Sequence, residues 1–288
     1  MNATRLAWAC WALAPVGVVA YHFGPGQPAY VQDRAARLQV AALSAESKAI
    51  AAQDVAYTQH LNGIDARRKA FLSQSPEDEA LATKATAAED QAYALAGEAW
   101  KEASANYGHV EEVLGNASKE EARKVRWAKA RSTVRSGDVW GGITELEELI
   151  DELDQDGQGS SALATSAREE LATAYYYGAR LLRLSGMPAQ EWHIESGKAR
   201  QQFRFLAEQT KDGDPASAEN YQKNLELVLN LEQSSLVEVQ GKALPKNSPG
   251  NCNMCNRAGN GKPKKNKLPP RKKDARGGGG MDDIRDGW

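Results

Sequence analysis

The chain has 288 residues, of which 41% are hydrophobic and 26% charged, enough to fold most of its length as one or two domains. Its net charge of −2 hides an asymmetry: residues from Lys242 onward carry 12 Lys/Arg against 4 Asp/Glu, so the preceding body carries −10. An acidic body with a basic tail excludes a dedicated nucleic-acid-binding domain, and abundant Ala, Glu, Lys and Leu with few aromatics point to an all-α fold.

Leu6 to Phe23 is an 18-residue run without a charged side chain, preceded by Arg5. That length is the lower bound for a membrane span and the upper bound for a signal-peptide core. An uncleaved anchor and a cleaved signal both stand as readings. Either places the hydrophilic body outside the cytoplasm, in a periplasmic or extracytoplasmic space, or secreted where the signal is cleaved. Cys10 reads as a buried apolar residue. Residues 1–27 form the anchor or signal and its linker, closed by Gly24-Pro-Gly-Gln-Pro28.

Residues 28–116 predict a long alanine-rich antiparallel helical hairpin. Val31, Ala35, Leu38, Ala42, Ala45 and Ala49 alternate four and three residues apart, and Asn62-Gly63 is a candidate kink. Ser75-Pro76-Glu-Asp-Glu79 starts the second arm, with Leu81, Ala85, Ala88, Ala92, Leu95 and Ala99 as its expected seam, continued after a small shift by Ala103, Tyr107, Val110 and Leu114. Two alanine seams let the backbones lie close. The hairpin reads either as a stalk or as further helical layers packed along the repeats.

Residues 117–241 predict helix–turn–helix units. Ser118 and Glu121 have capping-box spacing; a helix follows to about Arg135, a turn at Ser136-Gly137, and a helix capped by Asp138 with Ile143, Leu146, Leu149, Ile150 and Leu153 on one face. The run RSGDVWGGITELEELI resembles the turn and second helix of a tetratricopeptide repeat, with Ala130 and Gly142 at the family's small positions. Arg126, beside Trp127, occupies the place of the family's large aromatic. ELATAYYYGARLLRLSGM resembles a second first-helix, with Tyr175, Gly178, Ala179 and a turn at Gly186. Its partner helix departs from the family pattern but keeps Trp192, Ser196, Ala199, Phe203 and Leu206 in one stripe. The resemblance covers about residues 121–210. Two units are fewer than the roughly three that a repeat stack needs, so flanking helices must complete the core. Asp214-Pro215 starts a last helix, expected to cap the stack through Tyr221, Leu225, Val228 and Leu231.

The resemblance implies a partner-binding concave face lined by the first helices. The matching positions include Lys124, Trp127, Arg131 and Arg135, then Tyr176, Tyr177, Arg180 and Arg183. Cations with aromatics suit an acidic segment or a C-terminal carboxylate of another protein. The rival reading pairs these cations internally with Glu145, Glu148, Asp151 and Glu152.

No catalytic constellation is present: His22, His60, His109 and His193 are scattered, and no phosphate-cradling glycine loop or nucleophile motif occurs. Asp154, Asp156 and Gly157 brush a calcium-loop pattern, but Leu163 stands where the closing Glu belongs. No cofactor is expected, and the chain reads as a scaffold and not an enzyme. Residues 242–288 predict a disordered basic tail. Cys252-Asn-Met-Cys255 offers only two of the four ligands that structural zinc needs, leaving an incidental pair, a shared metal or a redox pair as readings. The basic run within residues 262–276 lacks interleaved aromatics, so base stacking is not indicated; weak polyanion contact and a solvated tail both stand.

Overall fold

The computed structural model describes residues 3–24, 26–115, 118–241 and 243–250. Among these the chain is entirely helices and their connections, without a strand. The nine helices are α1 (Ala3–Phe23), α2 (Gly26–Ser73), α3 (Pro76–Leu114), α4 (Lys119–Arg135), α5 (Val139–Gln155), α6 (Ala162–Leu184), α7 (Ala189–Thr210), α8 (Pro215–Gln233) and α9 (Leu236–Gly241).

The uncharged N-terminal run forms α1, with Pro15 inside it and Trp8, Trp11, Val16 and Phe23 exposed. No helix among the described residues is long and apolar enough to cross a membrane. Cys10, expected to be buried, is exposed on α1.

The hairpin is the longest part of the fold. At 1.5 Å per residue the 48 residues of α2 extend roughly 70 Å and the 39 of α3 roughly 58 Å. The alanine seam of α2 is buried as expected, with Ala42, Ala49 and Ala56 at 0% exposure. Asn62-Gly63 does not interrupt it: α2 is helical through both residues. Gly63 instead serves close approach, since a Cβ there would lie 2.5 Å from Glu89 Oε2. Ala92, Ala103, Tyr107, Val110 and Leu114 of the α3 seam are buried as expected, but its first half lies one residue on from its expected position. Leu81 and Leu95 are 56% and 63% exposed, while Ala82, Tyr93, Ala96 and Trp100 are buried. The physical reason is side-chain size: turning the helix to bury Tyr93, Trp100 and Tyr107 removes more apolar surface from water than burying two leucines.

The hairpin is no free stalk. Ala35 and Ala42 of α2 and Tyr107, Val110 and Leu114 of α3 form one cluster with Val125 and Ala128 of α4.

Helices α4 to α8 pack as successive antiparallel neighbours. Gly137 takes a positive φ of 98°, which glycine adopts without steric penalty, and Asp138 accepts the Gly141 N–H at 3.1 Å. Ser118 precedes α4 but makes no side-chain cap bond, so the capping box is not formed. Gly142 is where α4 and α5 approach: a Cβ there would meet Val134 N at 2.9 Å and the Ala130 carbonyl oxygen at 3.0 Å. Gly186, at φ 70°, turns α6 into α7, and Pro188 stands just before α7 as its N-cap. Trp192, Ser196, Ala199, Phe203 and Leu206 are buried as one stripe. Asp214 caps α8 through the Ser217 N–H at 3.1 Å, and Tyr221, Leu225 and Val228 close the end of the main core.

After α9 the chain does not leave the body. Residues 243–250, inside the stretch expected to be disordered, return to the hairpin as a strap, and Leu244 packs among Ala56, Ala92, Tyr93 and Ala96.

Candidate functional site

Three polar residues of α2 recur every seven positions within its alanine seam: Glu46, Gln53 and His60. Three aromatics of α3 recur every seven in the opposite direction: Tyr107, Trp100 and Tyr93. Because the arms are antiparallel, they meet as three rungs. Tyr107 Oη donates to Glu46 Oε2, Trp100 Nε1 donates to Gln53 Oε1 at 3.2 Å, and the His60 ring lies 6.3 Å from the Tyr93 ring, edge-on. All six side chains are buried. Ala42, Ala49 and Ala56 of α2 and Ala96 and Ala103 of α3, buried beside and between the rungs, keep the helices close.

Each rung also engages another part of the chain. Glu46 accepts from Arg131 of α4. Gln53 Nε2 donates to the carbonyls of Lys246, at 3.2 Å, and Ser248, at 2.7 Å. His60 Nε2 lies 2.9 Å from the Leu244 backbone N, which can only donate, so the ring proton sits on Nδ1 and is given to Glu89 Oε1 at 2.6 Å. Glu89 Oε2 accepts from Arg67 at 2.9 Å. Burial alone would raise the Glu89 carboxyl, but the hydrogen bonds from His60 and Arg67 outweigh it and hold the group below its ordinary range. Burial, and then the Glu46 carboxylate, push the Tyr107 phenol upward.

The eight side chains matched to a concave face fall into two groups. Arg131 lies with its guanidinium 4.4 Å from the centre of the half-buried Trp127 ring while bonding Glu46. Arg135 pairs with Glu170 at 3.0 Å and lies 5.1 Å from the Trp100 ring centre. Lys124 stands apart, exposed, with Glu120 as its partner at 2.8 Å. In the second group Arg180 is buried and donates to the Val239 carbonyl at 2.9 Å. Arg183 donates to the Leu231 and Ser234 carbonyls and covers Trp192 at 4.6 Å. Tyr177 is buried and Tyr176 half-buried, their ring centres 5.7 Å apart. Cation and aromatic chemistry suited to carboxylates and carbonyls is thus present, and in seven of the eight residues it faces this chain's own helices.

Internal pairing follows a different set of acids from those nearest in sequence. Glu145 takes Lys129 at 3.1 Å and Glu152 takes Arg123 and Arg126, while Arg131 and Arg135 reach Glu46 and Glu170. Burial raises the Glu170 carboxyl, with Arg135 and Arg131 opposing the rise. Asp154 pairs with Arg168 at 2.7 Å and Asp156 with Arg123 and Lys119, so the calcium-loop acids are in ion pairs. Among the described residues no group of three His, Cys, Asp or Glu is placed to hold a metal ion. Cys252, Cys255 and the basic run of residues 262–276 lie outside the described residues.

Glu46, Gln53, His60 and their aromatic partners are the residues that sequence reasoning missed. The available signal was a polar repeat of seven inside an alanine repeat of the same period. Compared with known families, curated proteins and solved structures, the chain matches none.

Proposed function

We propose that this protein is a non-catalytic scaffold: a tetratricopeptide-like repeat body braced at α4 by the hairpin, which assembles other proteins. One observation carries the reading. Arg131, Arg135, Arg180 and Arg183 grip carboxylates and carbonyls of α2, α6, α8 and α9, so the chemistry that would otherwise act on a ligand holds the helices in one rigid frame. A frame held together in this way suits presentation of its outer surfaces, where partners engage side chains that the frame does not use.

The frame is held at a membrane outside the cytoplasm through α1, whose tryptophans and valines face outward. Trp side chains favour the lipid–water interface. Fractionation tests this placement: the chain stays with membranes through a high-salt wash, which removes proteins held by charge alone. Release by salt would refute it.

Crosslinking in intact cells followed by mass spectrometry tests the scaffold reading. Crosslinks to other proteins are expected at the exposed Lys48, Lys84, Lys101 and Lys223 on the outer helices. Recovery of the chain without crosslinks to any second protein, under conditions where its internal lysine pairs do react, would reject the reading.

A further inference from the structure

The outer face of α2 carries an unpartnered apolar seam. Positions 36, 43, 50, 57, 64 and 71 hold Ala, Leu, Ile, Tyr, Ile and Phe, one every seven residues. The interleaved positions include Val40 and Leu61. Val40, Leu43, Ile50, Leu61 and Phe71 are between 40% and 78% exposed, whereas Ala42, Ala49 and Ala56 on the opposite face are at 0%. The seam runs from Asp33 to Phe71, roughly 55 Å at 1.5 Å per residue. An apolar residue every seven positions along that length, joined by Val40 and Leu61 at the interleaved positions, makes the pattern of a coiled-coil partner helix with polar layers at Ser47 and Asp54.

The charges beside the seam choose its occupant. We infer that α2 pairs with α2 of a second copy of this chain, antiparallel, about a two-fold axis near residue 52. In that register Leu43 meets Leu61 of the second copy, Val40 meets its Ile64, and Arg37 stands opposite its Asp65, each contact occurring twice. The acidic end at Asp33 then lies beside the basic end at Arg68 of the second copy. Arg37, Asp65 and Arg68 are all exposed, and Arg37 is joined to Asp33 only by a solvent-facing pair at 2.9 Å, which leaves it able to reach across. A parallel pairing instead stacks Asp33, Asp54 and Arg68 each on its own copy, placing like charges together in three layers. Ser47 and Asp54 fall in the middle of the antiparallel seam, where polar positions fix register at some expense of affinity. Asp54 already carries Lys246 of the strap at 2.9 Å, so its charge is balanced there.

The pairing goes beyond the scaffold reading and is tested separately from it, with the purified full-length chain and no other protein present. Cys10, Cys252 and Cys255 are replaced by Ser; Arg37→Cys is introduced in one preparation and Asp65→Cys in another. After mixing, a short bis-maleimide is expected to join residue 37 to residue 65 between chains. Products joining 37 to 37 or 65 to 65, or no joined product, would overturn the proposal. By sedimentation in mild detergent the full chain is expected as a dimer. Leu43→Glu with Leu61→Glu should weaken it at least roughly a hundredfold. Arg37→Glu alone should weaken it about tenfold, and adding Asp65→Arg should restore it, because the swapped pair is again complementary. A dimer that survives the glutamate pair would overturn the proposal and assign association to another surface. The crosslink is made at exposed positions of an otherwise intact chain, so it decides the question even where the glutamate variant loses helicity by circular dichroism.

Discussion

His60 Nε2 accepts the backbone N–H of Leu244 at 2.9 Å, across 184 residues of sequence. With Gln53 bonded to the Lys246 and Ser248 carbonyls, this contact fixes the C-terminal strap to the middle of the hairpin. His60→Ala would strip a partner from a buried N–H and from Glu89 together. A buried polar group left unsatisfied costs about 1–3 kcal/mol, so urea unfolding should report a loss in that range. Amide exchange at Leu244 should accelerate as well. Unchanged stability with unchanged exchange would mean that the strap is held by Leu244 packing alone.

Arg131→Glu combined with Arg180→Glu looks from sequence like a change on an open groove, one that would abolish partner capture and spare the fold. The geometry predicts the reverse. Arg131 is the partner of Glu46, with side chains 18% and 11% exposed, and Arg180 is 5% exposed against the Val239 carbonyl. Reversing one member of a buried pair leaves two carboxylates facing each other, and breaking such pairs costs about 3–5 kcal/mol. The double variant should melt well below the wild type or fail to fold. A variant with wild-type melting would show that neither arginine supports the frame.

The turns and helix ends were the most legible part of this chain. Gly137, Asp138, Gly186 and Asp214 act through backbone conformation and single hydrogen bonds, which depend on neighbours in sequence alone. The α2 seam was equally plain, because alanine every three or four residues has one physical use. The second half of the α3 seam is legible as well, but in its first half Leu81 and Leu95 fit the period as well as the buried set does, and only the partner across the hairpin decides between them. Among the groove candidates, residue types were informative and partners were not. Whether Arg131 meets a ligand or Glu46 depends on α2 lying against α4, a contact spanning 85 residues. Glu46, Gln53 and His60 violate the apolar seam that contains them, and their own spacing of seven was the trace they left.

Acid should unfold the body, with a sign fixed by carboxyls held below their ordinary values. Glu152 and Asp156 are held below their ordinary values: for Glu152 burial is outweighed by hydrogen bonds from Arg126 and Arg123, and for Asp156 bonds from Lys119 and then Arg123 dominate. Glu89 behaves likewise. In each case the unfolded chain binds the proton more readily, so the stabilisation is present above the unfolded value of about 4 and is lost as pH falls through the folded one. Glu170, raised by burial, works in the opposite direction, its contribution lost as pH rises. Asp78, Glu120, Asp214 and Glu219 are also held low by their hydrogen-bond partners, so depressed carboxyls outnumber the raised one and acidification brings a net loss of stability. The urea midpoint should fall between about pH 5 and pH 3. Glu89→Gln should make that fall shallower by removing one of the depressed groups. Parallel pH profiles for variant and wild type would rule out a contribution from Glu89.

Trp100 offers the sharpest separation of packing from hydrogen bonding in the hairpin. Its side chain is 1% exposed among Ala45, Ala49 and Ala103, its N–H goes to Gln53 Oε1 at 3.2 Å, and Arg135 lies 5.1 Å from the ring centre. Trp100→Ala removes all three and leaves a cavity between backbones that alanine seams hold close, so little collapse is available. The expected loss is about 3–5 kcal/mol, at the upper end for such truncations. Trp100→Phe keeps an aromatic ring under Arg135 but leaves Gln53 Oε1 without its donor. That change should cost about 1–3 kcal/mol, including the smaller ring's lost contacts. Adding Gln53→Leu to Trp100→Phe removes the orphaned amide and should recover part of the loss, but it also frees the Lys246 and Ser248 carbonyls. Strap exchange should therefore rise in the double variant while global stability holds or improves. If Trp100→Phe were as damaging as Trp100→Ala, the rung would be a hydrogen-bond device first and a packing device second. If Trp100→Phe were neutral, the indole N–H would contribute nothing, and the seven-residue polar repeat would matter through the strap alone.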